Sequence, residues 1–309
     1  MRMGREADWP CEVCSMKLIR RILRLLPSWL RIWLRTRWAL YRYPEYRRIP
    51  EFDLEYSGIA EDGTPYVKLR DGFSFYSHPP TPLQKSVVKA VFGGYPPHLD
   101  PRCYGVVCDM AYRYFGPRDP KDHLAAGKYF DFKPGQVVVE VGAFIGHFTL
   151  RAAELVGESG RVVAVEAIEE NYRLVQRNVA ENNLSHVTVF HCAAWKEKGT
   201  ITLVRESEQK ASIVKELIQG DTPHEVPCNS IDNLMEELDL IPDFVRIQVN
   251  GAEMEVLEGM ERLLAHRPKI LIAAIYQVDG LPSWKRVVPW LEQRGYKTKM
   301  DGNGMVLAE

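Results

Sequence analysis

Residues Gln136 to Glu166, QVVVEVGAFIGHFTLRAAELVGESGRVVAVE, constrain this chain more than any other stretch. An apolar strand, Val137 to Val139, ends on Glu140 and a glycine-bearing turn, Gly142-Ala143-Phe144-Ile145-Gly146. A helix with Phe148, Leu150, Ala152, Ala153 and Leu155 follows, and a second apolar strand, Val162 to Val165, closes on Glu166. Strand, glycine turn, helix and strand-ending acid form a nucleoside-binding βαβ unit. Glycine lets the backbone approach a ligand, and the second carboxylate can hold ribose hydroxyls. A dinucleotide site needs G-x-G-x-x-G around its pyrophosphate, whereas Gly142 and Gly146 stand in G-x-x-x-G. That spacing suits an adenosine ligand without phosphates and with a short charged tail, and S-adenosylmethionine is the expected occupant.

The rest of the chain repeats the pattern. Helices are predicted over Glu169–Asn182, Asp232–Leu238, Ala252–Leu264 and Trp284–Arg294. Further strands are predicted over Val187–Cys192, Phe244–Val249 and Ile270–Ile275. Tyr296–Met300 and Met305–Leu307, around the turn Asp301-Gly302-Asn303-Gly304, read as a closing hairpin. Apolar runs without alternation belong to strands buried on both faces, so helices are expected on either side. The resulting fold class is α/β: a Rossmann-like class I methyltransferase fold, with a mostly parallel seven-stranded sheet and a C-terminal β-hairpin.

Two motifs carry a family resemblance. Glu140 to Gly146 is similar to the acid-V-G-A-N-x-G turn of FkbM-type S-adenosylmethionine-dependent methyltransferases. Ser230-Ile231-Asp232-Asn233-Leu234, followed by Phe244 to Glu253 and Val256-Leu257-Glu258-Gly259, resembles that family's L-D-x-L … I-K-I-D-V-E-G-A-E-x-x-V-L-x-G signature. The resemblance runs from about Tyr66 to the C-terminus. It implies methyl transfer to a hydroxyl of a sugar or other polyhydroxylated acceptor.

In such a site Gly142, Ala143, Phe144 and Gly146 lie against the donor. Glu140 orients its amino-acid tail, Glu166 holds the ribose hydroxyls, and Ala167 and Ala193 flank adenine. Gln248 and Asn250 face the reaction centre. They stand where the family carries acids, and Phe144 replaces its turn Asn, so two charges are given up while hydrogen-bonding shape is kept. No metal is expected, because Mg²⁺ prefers oxygen ligands that include charged ones. A chain that binds the donor without transferring methyl is the alternative. His147, at the first helical turn, is a candidate base, because a helix N-terminus would keep its ring neutral; a ring packed under the sheet edge is the other reading. His191 falls where the adenine edge should lie. His78, His98 and His123 could line an acceptor pocket.

Residues 16–44, Met16 to Pro44, hold eight Lys or Arg and no acid. The whole chain has a formal net charge of −1, so these eight positive charges leave −9 for the rest. Polar positions recur every three or four residues, with Ile19, Ile22, Leu23, Leu26, Trp29, Leu30, Trp33 and Leu34 on the complementary face, restarted at Pro27. The arginines interrupt any run of the ~20 apolar residues a bilayer span needs. Trp and Leu opposite Arg is the composition of a helix lying on an anionic membrane surface. Packing on the protein's own body is the competing reading, and nucleic acid is not an expected partner. Arg24 and Pro27 also interrupt the apolar core of a signal peptide.

The expected organisation is a basic arm over 1–44, a leading hairpin and lid over 45–130, and the donor-binding domain over 131–309. Within the leading region, Tyr66–Leu69 and Phe73–Tyr76 read as a hairpin, and Leu83–Phe92 and Tyr104–Tyr114 as helices. Cys11-x-x-Cys14 is half a zinc motif without a second pair, and Met16 is an alternative start that would remove it. Free thiols suggest a reducing, cytoplasmic setting, with the protein peripheral on the inner membrane face. Together these features predict a lipid-linked glycan or glycolipid acceptor.

Overall fold

The computed structural model describes residues 27–42, 44–111, 131–207, 210–212, 222–300 and 304–309. Residues 16–26 of the arm, Cys11, Cys14, His123, the end of the second leading helix and the turn at 301–303 lie outside them. The described part begins with α1 (Ser28–Arg42), then β1 (Leu54–Ile59), β2 (Pro65–Leu69) and β3 (Ser74–Tyr76), an antiparallel sheet. The helices α2 (Pro82–Phe92) and α3 (Tyr104–Asp109) follow. Thr81 starts α2 with a reciprocal capping box to Gln84, and Gly93 ends it in the left-handed region.

The expected βαβ unit is β4 (Val137–Val141), α4 (His147–Val156) and β5 (Arg161–Glu166). After it come α5 (Glu169–Glu181), β6 (Val187–His191), β7 (Ala193–Ala194), β8 (Gly199–Ser207), β9 (Lys210–Ser212) and β10 (Thr222–Asn229). The chain continues through α6 (Ile231–Leu238), β11 (Phe244–Ile247), α7 (Glu253–Glu258) and β12 (Lys269–Ala273). It closes with β13 (Gln277–Val278), β14 (Leu281–Pro282), α8 (Trp284–Gln293), β15 (Thr298–Met300) and β16 (Met305–Ala308).

The main sheet has seven strands in the order β15-β16-β12-β11-β4-β5-β6. Its β12, β11, β4, β5 and β6 pair in parallel, and β16 enters antiparallel between β12 and β15. Both faces are covered, as the unalternating strands require. Val139, Val141, Val163, Val165, Val245, Ile247, Ile270 and Ile272 point into one cluster with residues of α6, α7 and α8. Val138, Val162, Phe244 and Leu271 meet Phe148, Ala152 and Ala153 of α4 in another.

The leading region is welded to this body. Ala39 of α1, Phe75 of β3 and Val87 of α2 share one cluster with Ile145, Leu150 and Leu174 of the donor-binding domain. Two asparagines, Asn178 of α5 and Asn182 directly after it, pair with the backbone of β3: Asn178 accepts from Tyr76 N at 2.7 Å and donates to Tyr76 O at 3.0 Å, and Asn182 does the same for Ser74 at 2.8 and 2.7 Å. These bonds set β3 and the loop after it over the glycine turn.

One expected element is corrected, and two features add to the expected picture. β7, β8, β9 and β10 form a separate four-stranded sheet, ordered β7-β10-β8-β9. The helix predicted over Ala252–Leu264 stops at Glu258, because Gly259 packs on backbone; a Cβ there would lie 2.0 Å from Trp195 O. In α1 the buried residues are Thr36 and Ala39, whereas Trp33 is 53% exposed. Thr36 Oγ1 and Ser86 Oγ lie 2.9 Å apart, so α1 rests on α2 beside Thr36 and Ala39, with Leu40 partly buried in the same cluster.

Candidate donor site

The two motif segments meet at the C-terminal edge of the sheet, where ligands of open α/β folds bind. Gly142 (φ +83) turns the chain out of β4, and the N–H groups of Gly142 and Ala143 both donate to Val165 O, at 2.9 and 3.2 Å. A Cβ on Gly142 would sit 2.1 Å from Gln248 O, and Gln248 N donates to Val141 O at 2.9 Å. The glycine is therefore required first by the end of β11. Gly146 (φ +87) leads into α4 and packs on Val175 of α5. Ala143 is buried in the turn. Asn250 (φ +53) and Gly251 (φ +104) bend the chain sharply after β11, and Gly251 N donates to the buried Glu253 Oε1 at 2.9 Å. Gln248 and Asn250 are thereby brought beside the glycine turn.

Glu166 is the centre of the arrangement. It ends β5, with Oε2 accepting from Phe144 N at 2.7 Å and Oε1 accepting from Ile168 N at 2.9 Å and, at 3.4 Å, from Asn171 Nδ2. Burial pushes this carboxyl up to about 7, against the Ile168 and Phe144 N–H groups, which pull it down. A carboxylate oxygen has two acceptor sites, so Oε2 keeps one for a ribose hydroxyl. The residues present thus fit the expected donor. Ala167 is half-buried and follows Glu166 directly; Ala193, buried, opens β7. His191 is in register with Glu166, stacks on Tyr172 at 4.8 Å and places Nδ1 3.0 Å from Glu169 Oε2. Gln248 and Asn250 follow β11 and Ala167 follows β5 at the same end of the main sheet, while Ala193 opens β7 of the second sheet.

The Glu166 value gives a pH dependence with a definite sign. The carboxylate is the stronger acceptor for a ribose hydroxyl at Oε2, so donor affinity rises with pH through about 7, by up to about tenfold from pH 6 to pH 8 for a single titrating group. Without donor the same group acts oppositely on stability. Its folded value exceeds the ordinary 4.5, the folded chain binds the extra proton, and stability falls as pH climbs between the two. Titration of donor affinity against pH checks the first statement, and Glu166→Gln should flatten the profile.

Two assignments are corrected. Glu140 is 1% exposed, and its carboxylate accepts from Arg246 Nη1 and Thr149 Oγ1, each at 2.5 Å, so it is an internal counter-ion and not a handle for the donor's tail. The other end of the same guanidinium donates to Gln248 Oε1. His147, also 1% exposed, has its ring 5.0 Å from Phe75 and 5.8 Å from Phe144, and so is a packing ring between the leading sheet and the turn rather than a base. Phe144 gives its backbone N–H to Glu166 while its ring packs on His147 and on His78, 5.8 Å away. His98 lies against Phe92.

Arg246, Thr149, Asn171 and His78 were not singled out for these roles by sequence. Arg246 left a signal: a lone base in β11 and a lone acid in β4, both inside apolar strands, must find each other, and they are direct register partners. Asn171 left none.

A family model described as the methyltransferase FkbM domain matches residues 140–298. A relative, the probable cobalt-precorrin-6B C(15)-methyltransferase (decarboxylating) of Sulfurisphaera tokodaii, is 24% identical over 57% of this chain and 68% of its own. Among solved structures, methyltransferase FkbM from Methylobacillus flagellatus KT matches at 16% identity and a TM-score of 0.45, over 88% of this chain. The chain spans 60% of that protein's length. Aeropyrum pernix fibrillarin, solved with natively bound S-adenosyl-L-methionine, matches at 11% identity and a TM-score of 0.39, over 83% of this chain and 98% of its own.

Proposed function

We propose that this chain, which belongs to the methyltransferase FkbM domain family and so uses S-adenosylmethionine, methylates a hydroxyl of a sugar, glycan or glycolipid at a membrane surface. The observation that carries the reading is the buried Glu166 carboxylate, held by Phe144 N–H at the lip of the glycine turn. When bound, the donor would supply an electrophilic methyl on a sulfonium for in-line transfer to an acceptor oxygen, with the neutral thioether as leaving group and the hydroxyl proton passing to solvent water. The chain's own part is placement. Glu166 fixes the ribose, and Ala167 and Ala193 bound the adenine space. The turn held between Gly142 and Gln248 fixes the sulfur end beside Gln248 and Asn250. Alignment of donor and acceptor supplies roughly 7–11 kcal/mol of barrier reduction in ideal cases, without any charged base.

The membrane part of the proposal rests on α1. With Thr36 and Ala39 facing inward, Trp33 (53% exposed), Trp38 (56%) and Tyr41 (82%) face outward among the exposed Arg35 and Arg37. Aromatic rings with interleaved arginines are the composition of an interfacial helix. Among the described residues no helix is long and apolar enough to cross a membrane. Trp33→Glu with Trp38→Glu should lower binding to anionic vesicles at least tenfold (roughly 1.4 kcal/mol or more) while the melt stays unchanged; equal partitioning would reject the anchoring role.

The transfer itself is tested with radiolabelled donor and separated membrane-lipid and soluble-glycan fractions. Label in the lipid-linked fraction is expected. Label in neither, despite bound donor, would leave a donor-binding protein that transfers nothing.

A further inference from the structure

A groove of about 340 Å³ opens between the β1–β2 turn, the loop after β3 and the outer face of α5. That volume is in the range of small-ligand sites, and the family reading assigns the groove nothing. Its titratable lining consists of Asp62, His78, Glu170, Arg173 and Arg177, beside the hydroxyls of Thr64 and Ser77 and with Leu174 as an apolar patch. Two carboxylates face two guanidiniums, so the lining carries no net charge apart from the histidine. An anion entering it would meet Asp62 and Glu170, and a cation would meet the arginines. A neutral ligand with several hydroxyls meets neither penalty, because carboxylates accept from hydroxyls and guanidiniums donate to them.

The charged groups are already oriented. Arg177 donates to Asp62 Oδ2 at 2.6 Å with its guanidinium 4.0 Å from the centre of the Tyr76 ring, and Arg173 Nε donates to Glu169 Oε1 at 2.7 Å. Each of these bonds uses one N–H of a five-donor fork. The groove also connects to the donor site. His78 Nε2 donates to Asn171 Oδ1 at 2.8 Å, Asn171 Nδ2 reaches Glu166, and the His78 ring lies 5.8 Å from that of Phe144.

We propose that this groove is a carbohydrate subsite, which holds a neutral sugar unit of the acceptor beyond the one methylated, with His78 at the junction with the donor turn. The inference rests on the methyl-transfer reading for its biological meaning, but its test does not. The probe is maltose, with succinate as the anionic counter-probe, observed by saturation-transfer NMR on the full chain. Wild type should show maltose signals, reduced at least fivefold in Glu170→Ala with Arg173→Ala, two surface changes on α5 that leave donor affinity and the melt alone. Equal maltose signals in both proteins, no maltose signal in wild type, or signals from succinate only would each overturn the subsite. A protein that binds maltose here and transfers no label keeps the subsite and loses the transferase reading. One that labels a glycan with the same KM before and after the double change keeps the transfer and loses the subsite.

Discussion

Arg246→Met unfolds this protein more readily than almost any other single change: a loss of about 3–5 kcal/mol is expected, because Glu140 is left charged, buried and without its cation. Arg246 and Glu140 are register partners in the two central strands, and only Thr149 Oγ1 would remain of the two bonds described for that carboxylate. The melting temperature should fall by on the order of 10 °C. The discriminating protein is the double variant, Arg246→Met with Glu140→Leu. If the penalty comes from an orphaned charge, the double variant recovers most of the stability, since apolar replacement of a whole buried pair is often neutral or better. A double variant no more stable than the single would show that the loss came from packing around Phe148, whose ring centre lies 5.0 Å from the guanidinium.

Gly142→Ala carries the second large effect, and a control within the same chain separates its two causes. At φ +83 any L side chain is strained, which costs about 1 kcal/mol relative to glycine. Beyond that, the added methyl would lie 2.1 Å from Gln248 O and 3.0 Å from its carbonyl carbon, and those are backbone atoms of the neighbouring strand end. Either the turn or the end of β11 must move, so a total near 4 kcal/mol and loss of measurable donor binding are expected. Gly63 has nearly the same φ, +85, and a methyl added there would meet nothing within 4 Å, so Gly63→Ala should cost only the strain, about 1 kcal/mol. Similar melts for the two variants would mean that the turn tolerates displacement from β11.

The sheet was legible because its signals are local and redundant. Val137–Val141, Arg161–Glu166 and Lys269–Ala273 are runs of β-branched and aliphatic residues, and each emerges as a strand buried on both faces. The elements missed are those decided by distant contacts. β10 reads TPHEVPCN, and prolines at 223 and 227 argue against a strand. It is one because β7 pairs only with Cys228 and Asn229, so among the described residues the edge of β10 away from β8 is unpaired where the prolines fall. Gly259 gave no hint that Trp195 O would press on it. At the candidate site, Glu166 and the glycine turn were readable from spacing. The buried fate of Glu140 was not, since an acid near a strand end looks the same in sequence whether it faces a ligand or a packed neighbour; for His147 a packed ring stood beside the base as an alternative reading.

The central claim is that Glu166 grips the donor. Calorimetric titration of S-adenosylmethionine into wild type and Glu166→Gln at pH 8 tests it most directly. Hydrogen bonds to a charged group contribute about 1.5–3 kcal/mol, so wild type should bind saturably, and the variant, shown to be folded by circular dichroism, should bind at least tenfold more weakly. Equal affinity in the two proteins, or no binding by wild type, would contradict the account.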